Sequence, residues 1–189
     1  MARWEPDARL RLVRAAIDLY AEQGYESTTV AQVAERAGLT KATFFRHFPD
    51  KREPLFAGQE EHAALLADGA ALAPDDASPL EVVTAALDHA TAAFTAEQRD
   101  WGPRLRAVVG THDELRERAA FKRAHLTGTL AAVLRDRGAG EATAAIAADL
   151  GVEAFHRGFD RWSDGEGPSY GDLAREELRT LHAAATALR

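Results

Sequence analysis

Thr28-Thr29-Val30-Ala31-Gln32-Val33-Ala34-Glu35-Arg36-Ala37-Gly38-Leu39-Thr40-Lys41-Ala42-Thr43-Phe44-Phe45-Arg46-His47-Phe48, followed by Pro49-Asp50-Lys51, decides how this chain folds. Val30, Val33, Ala34 and Ala37 recur at i, i+3, i+4 and i+7, one face of a helix, and Thr29 with Gln32 forms a capping box that would start it. Gly38, directly after the last periodic residue, supplies the left-handed conformation that stops a helix and lets the chain reverse within three residues. Thr40 is the next N-cap. From there Phe44 and Phe48, four apart, bury one side of a second helix and leave Lys41, Thr43, Arg46 and His47 for the others. Ala34 lies where the two helices of a helix-turn-helix cross closely, and Phe44 where the second needs an apolar anchor. The competing reading is a pair of core helices with no DNA role.

Working outward, Leu10, Val13, Ile17 and Tyr20 keep helical spacing and predict a first helix over Asp7 to Gln23. Residues 1–6 and Trp4 are expected to be frayed or loosely packed, and Arg9, Arg11 and Arg14 to be solvated on the outer faces of that helix. Downstream, Asp50 with Glu53 makes a capping box for a fourth helix reaching Leu72, although Pro54 fits only within its first turn. Ser78, Pro79 and Glu81 are N-cap, N1 and N3 of a fifth helix running to Gln98. A break over Arg99 to Gly102 precedes helices at Pro103 to Gly110, Asp113 to Arg137, Glu141 to Ser163 and Asp172 to Leu188. No strand-like alternation occurs, so the expected fold is all-α with nine helices, three in an N-terminal domain and six after it.

Hydrophobic content of 46% and charged content of 28% belong to a globular chain, and 189 residues suffice for a substantial core. The absence of cysteine excludes disulfides, thiolate metal sites and a cysteine nucleophile. No apolar stretch has the length of a signal peptide or a membrane span, and a cytoplasmic protein without a membrane partner is expected. The net charge of −7 argues against a nucleic-acid partner until its distribution is followed. Residues 1–56 hold nine Lys/Arg against eight Asp/Glu, leaving fourteen against twenty-two for the remainder. Between Arg36 and Arg52 the count is five basic to one acidic, a local basic surface on an acidic molecule.

Three runs resemble the N-terminal domain of TetR-family transcriptional repressors: Gly24-Tyr25-Glu26-Ser27-Thr28-Thr29-Val30, Val33 to Lys41 across the turn, and Phe44 to Phe48 leading to Lys51. The close match covers residues 8–56, and beyond it only the helical layout is similar. The family often has Gly where Ala42 stands and Tyr where Phe45 stands, which puts a close backbone approach and a hydroxyl contact in doubt. The resemblance implies a DNA-binding domain over residues 1–49 and an effector-binding, dimerisation domain over 50–189. It implies a homodimeric regulator, a repressor, on a palindromic double-stranded operator, released by an unidentified small-molecule effector. The DNA contacts it implies are Thr28, Thr29, Thr40, Lys41, Thr43, Phe45, Arg46, His47 and Lys51, with Thr28, His47 and Lys51 beside phosphates.

In the second domain, aromatic residues mark where an effector would lie, near Phe94, Trp101, Phe121 and Phe155, with His89 and His125 as polar contacts; each residue alone also suits an ordinary core. Leu178, Leu181, Ala185 and Leu188 form a seam at spacings of three and four, as do Val152, Phe155, Phe159 and Trp162, while Gly151 and Gly158 permit close approach of a partner. In TetR-like proteins the last two helices pair with those of a second subunit, so these residues are candidates for the dimer interface as well as for intrachain core. Glu153 and His156 form a lone Glu-x-x-His pair where a carboxylate-bridged metal bundle needs two, and no cofactor or metal is expected. No phosphate loop or nucleophile signature points to an enzyme. A regulator without an effector, an activator, an all-helical enzyme and an interaction module are the alternatives.

Overall fold

The computed structural model describes residues 8–165 and 169–188, so the expectations for residues 1–6 and Trp4 lie outside the described residues. Among the described residues there are nine α-helices and no strand: α1 (Ala8–Gln23), α2 (Val30–Arg36), α3 (Lys41–His47), α4 (Gln59–Ala71), α5 (Pro79–Thr91), α6 (Ala96–Gly110), α7 (Asp113–Asp136), α8 (Glu141–Ser163) and α9 (Tyr170–Ala187). Two compact units emerge. One runs to Ala57 and takes in Pro103–Ala119; the other comprises Gly58–Gly102 and everything from Ala120 on.

The first unit is built on a shared core in which Ile17, Val33, Ala34, Phe44 and Phe48 come from the helical periods noted above and Leu12 and Ala16 are added from α1. Tyr20 stays buried by donating its hydroxyl to the carbonyl of Lys51 at 2.6 Å. Asp50 does not open a long helix. Its carboxylate accepts from the backbone N–H groups of Arg52 and Glu53 and caps a single 3-10 turn, Glu53–Phe56. The chain then turns at Gly58, whose φ of +94° suits glycine alone, and α4 begins there.

The second unit packs α4, α5, α8 and α9 with the later part of α7 around Leu66, Val83, Leu87, Leu130 and Val152. Ser78 and Glu81 complete their capping box at α5, and Ser169 with Asp172 does the same for α9. The expected break at Arg99 to Gly102 is absent. Thr95 and Gln98 form a capping box of their own, with Gln98 Oε1 accepting from the Thr95 N–H at 2.9 Å, so α6 starts seven residues before Pro103 and carries that proline in its interior. Gly102 is needed within this continuous helix because Ser163 approaches so closely that a Cβ would stand 2.5 Å from its own. No helix among the described residues is long and apolar enough to cross a membrane.

Candidate DNA-binding surface and ligand site

The turn between α2 and α3 is closed by its own backbone. The N–H of Gly38 reaches the carbonyl of Glu35 at 2.9 Å and that of Leu39 reaches Ala34 at 2.8 Å, with Gly38 at φ +66°, a complete Schellman motif. Arg11 adds a second lock by donating to the carbonyl of Ala37, and a Cβ at Gly38 would stand 2.7 Å from its guanidinium. Arg11 is thus part of the turn rather than a solvated or phosphate-facing residue, because the last carbonyls of α2 need donors from outside the helix. Thr40 accepts from the N–H of Thr43 at 3.1 Å and starts α3 as expected.

With Phe44 and Phe48 buried, α3 turns Lys41, Phe45 and Arg46 outward, and Thr40 and Thr43 share a 3.0 Å hydroxyl contact at its exposed start. Phe45 is 48% exposed, with the Lys41 ammonium 5.9 Å from its ring centre. Thr29 is exposed as the N-cap of α2. Thr28 is not part of this surface. It is 2% exposed, and its hydroxyl donates to the carbonyl of Gly24 at 2.8 Å, tying the loop to the end of α1, so the expectation of a phosphate contact there is corrected. His47 is half-buried with Nε2 shielded and unpartnered among the described residues.

The basic count also shrinks in three dimensions. Glu22 holds Arg36 in a two-pronged pair at 2.8 and 3.1 Å, and Asp50 holds Arg52 at 2.7 Å, each carboxylate being kept below its usual pKa mainly by that arginine. Lys41, Arg46 and Lys51 remain for an anion. The Lys51 ammonium lies 4.0 Å from the ring centre of buried Tyr25, whose hydroxyl bonds Glu114. A cation over an aromatic face keeps its outward N–H groups for a phosphate oxygen while its position is fixed.

In the second unit Phe94, Phe155, Phe159, Trp162 and Tyr170 form one aromatic cluster together with His62. Phe94 is its centre, with His62 stacked on it at 4.8 Å and Phe155, Phe159 and Tyr170 at 5.7, 5.7 and 4.9 Å. Trp162 stacks on Tyr170 at 5.4 Å, and Phe94, Trp162 and Tyr170 also wall a cleft of about 390 Å³ edged by the Asp88–Arg175 ion pair. Of the expected ligand contacts, Phe94 and Phe155 come together. The others do not: Phe121 is 64% exposed, His125 lies on the surface 3.2 Å from Glu60, and His89 packs its Cβ against Gly69. Trp101 is buried and makes no ring contact with the cluster among the described residues. The histidines that join it are His62, which the sequence did not single out, and His156, which its spacing marked only as half of a Glu-x-x-His pair.

Burial pushes the His62 imidazole down to about 4, against a small opposing pull from Glu61, and burial with the nearby Arg123 and His62 pushes His156 down to about 3. Both rings are therefore neutral in the folded chain. On unfolding each regains an ordinary pKa near 6.5, so below that pH the unfolded chain takes up protons that the folded chain refuses. The stabilisation is complete above pH 6.5 and is lost as pH falls toward 4. The slope approaches about 1.4 kcal/mol per pH unit for each histidine. Urea unfolding at pH 7.5 and 5.5 should show this loss, and His62→Phe should remove about half of it; equal midpoints at both pH values in the unaltered protein would mean that the rings are hydrated.

The expected dimer residues divide. Gly151, Val152, Gly158, Trp162 and Leu178 are buried within the chain itself and are corrected to intrachain packing: a Cβ at Gly151 would meet Val83 at 2.6 Å, and one at Gly158 would meet the backbone of Ala174 at 2.8 Å. Phe159 belongs to the aromatic cluster. Leu181 and Ala185 are half-buried, while Leu188 is 84% exposed, as is Ile146 on α8 at 58%. Glu153 is engaged by Arg123 and Arg157.

A two-helix reader with an anchored second helix, an outward row of polar and basic side chains and a first helix that locks the turn defines a helix-turn-helix domain. The family model described as bacterial regulatory proteins, tetR family, matches residues 12–57. The HTH-type transcriptional regulator TcmR of Streptomyces glaucescens is 39% identical over 83 residues, 42% of this chain and 35% of that protein, so the match spans about a third of the relative's length. The N-terminal segment is thus similar to the DNA-binding domains of TetR-family regulators. In fold, Thermus thermophilus FadR, a TetR family transcriptional repressor solved in complex with lauroyl-CoA, superposes with a TM-score of 0.53 at 25% identity over 92% of each chain. A putative transcriptional regulator of Pseudomonas aeruginosa superposes with a TM-score of 0.61 at 17% identity, over 98% of this chain and 94% of that one.

Proposed function

We propose that the protein is a dimeric transcriptional repressor that binds a palindromic operator in the cytoplasm and is released from it by a small-molecule effector. The observation that carries this reading is α3, held by Phe44 and Phe48 from within while Lys41, Phe45 and Arg46 face outward. Residues 1–49 read the DNA; residues 50–189 hold the effector and the partner subunit. The second copy covers the apolar face of α8 and α9 formed by Ile146, Leu150, Leu181, Ala185 and Leu188, beside a groove of about 340 Å³ that Leu80 and His182 help to line. Such a dimer fixes the spacing of two α3 helices. An effector bound at the Phe94 cluster, and preferring a different spacing, lowers DNA affinity by that difference in its own affinity.

DNA from upstream of the protein's own coding region is the first operator to test, by mobility shift across a salt series. Lys51 neutralises one phosphate per subunit and reads no base. Lys51→Ala should therefore reduce the slope of log affinity against log salt by about 2 in the dimer, at about 0.9 per phosphate lost, with the preferred sequence unchanged. An unchanged slope would leave Lys51 with Tyr25 alone, and absence of any sequence-specific shift would remove the regulator reading.

A further inference from the structure

The outward face of α3 has an apolar middle. At about 100° per residue, Phe45 and Ala42 lie between Lys41 and Arg46 around the helix, and all four side chains are exposed. Among the described residues of the first unit, Phe45 is the only large apolar side chain left exposed. Its ring is held in place all the same. It meets the fully buried Phe44 at 5.5 Å, edge to face at 80°, and the Lys41 ammonium stands 5.9 Å from its centre. The ring is thus propped from within and flanked by a cation, and the rest of it faces solvent.

A single exposed ring needs no explanation on an arbitrary surface, but on a face that meets DNA every covered group has to match what covers it. A phosphate oxygen set against this ring would give up hydration and receive nothing, because phenylalanine has no donor. The same holds for most of what a base edge displays in the major groove, which is a pattern of donors and acceptors. One group there is apolar: the C5-methyl of thymine. The cations on either side suit the acceptors around it, Lys41 and Arg46 reaching phosphate oxygens or guanine edges while the middle of the face stays free of charge.

We propose that Phe45 is a specificity-determining residue that reads thymine by packing its ring on the C5-methyl in the major groove. With no hydroxyl to donate, the ring takes no part in holding the backbone, and its contact carries sequence information. The contact needs no hydrogen bond, so it distinguishes thymine from uracil, which pairs identically and differs only by the methyl group. The inference rests on the operator-binding reading above and names the chemical group that the middle of α3 recognises.

The probes are duplexes enriched by the full-length protein from a random-sequence pool, resynthesised with each thymine replaced in turn by uracil and titrated by mobility shift. One thymine per half-site should be sensitive. Losing the burial of a single methyl group there should weaken binding about fourfold for one substituted half-site and about fifteenfold for both. Phe45→Ala should bind the thymine duplex as weakly as the uracil duplex, with no difference left between them, and Phe45→Gln does the same if the alanine variant folds poorly. An unaltered protein indifferent to uracil at every position would overturn the proposal. So would a methyl preference that survives in both variants, which would assign the contact to Ala42 or to the methyl of Thr43. Failure of the two readings is distinguishable: a pool that yields no enriched sequence removes the operator-binding reading and this inference with it, while specific binding without methyl dependence removes this inference alone.

Discussion

Phe44→Ala is expected to destabilise the first unit by about 3–5 kcal/mol and to abolish sequence-specific DNA binding. The ring is wholly enclosed, with Phe45 and Phe48 at 5.5 and 5.6 Å, and α3 is only seven residues long. A helix of that length has no stability of its own and exists because one face is buried. Removing the ring leaves a void that the locked turn at Gly38 cannot collapse to fill, so both the lost transfer energy and the cavity count. The loss is a large part of the about 5–15 kcal/mol that holds a typical domain together. Urea unfolding and operator titration measure it directly. Phe44→Leu, which keeps most of the volume, should retain DNA binding, and a cost below about 1 kcal/mol for the alanine variant would mean that α3 is held by something other than this anchor.

Gly158→Val is expected to cost about 3 kcal/mol and to disturb the pairing of α8 with α9. A Cβ at this position would stand 2.8 Å from both the nitrogen and the Cα of Ala174 and 3.1 Å from its Cβ. Backbone cannot swing aside as a side chain can, so the two helices must separate, and α9 would be displaced together with the face proposed for a second subunit. Gly151→Ala is the informative contrast. Its Cβ would meet one methyl group of Val83 at 2.6 Å, a side chain able to shift, so the cost should be smaller. Thermal unfolding and size-exclusion chromatography of both variants report stability and assembly; a Gly158→Val protein that melts with the unaltered one would mean that α8 and α9 are not in close contact there.

What could be read ahead from the residues was whatever is settled within four or five positions. The boxes at Thr29 with Gln32 and Ser78 with Glu81, the Gly38 stop and the Phe44, Phe48 pair all act over one helical turn, and they appear as expected. Arg11 departs from expectation because its partner lies 26 residues away, and Thr28 because its burial against the end of α1 is decided by the loop's path rather than by residue type. Pro103 suggested a helix start, and the weaker signal of Thr95 with Gln98 was overlooked. The aromatic cluster was half legible. Aromatic residues pointed to Phe94 and Phe155, but choosing His62 and His156 over His89 and His125 requires knowing which helix faces inward at each, and that is decided by packing across the unit. The same holds for Gly151 and Gly158: small residues announce a close approach without saying whose.

The first unit has a consequence for anyone who would transplant it. Its chain does not end at Ala57, because Pro103–Ala119 belongs to the same body and contributes buried Val108 and Leu115. From that later stretch Arg104 pairs with Asp18 at 2.8 Å, Arg118 with Glu53 at 2.7 Å, and Glu114 holds the hydroxyl of Tyr25, on whose ring Lys51 rests. A gene fusion that grafts only the first 57 residues onto another sensor would strip Asp18, Glu53 and Tyr25 of these partners and leave apolar surface uncovered. The first unit is therefore not a detachable cassette, and a working chimera has to carry the segment around residues 103–119 along with it.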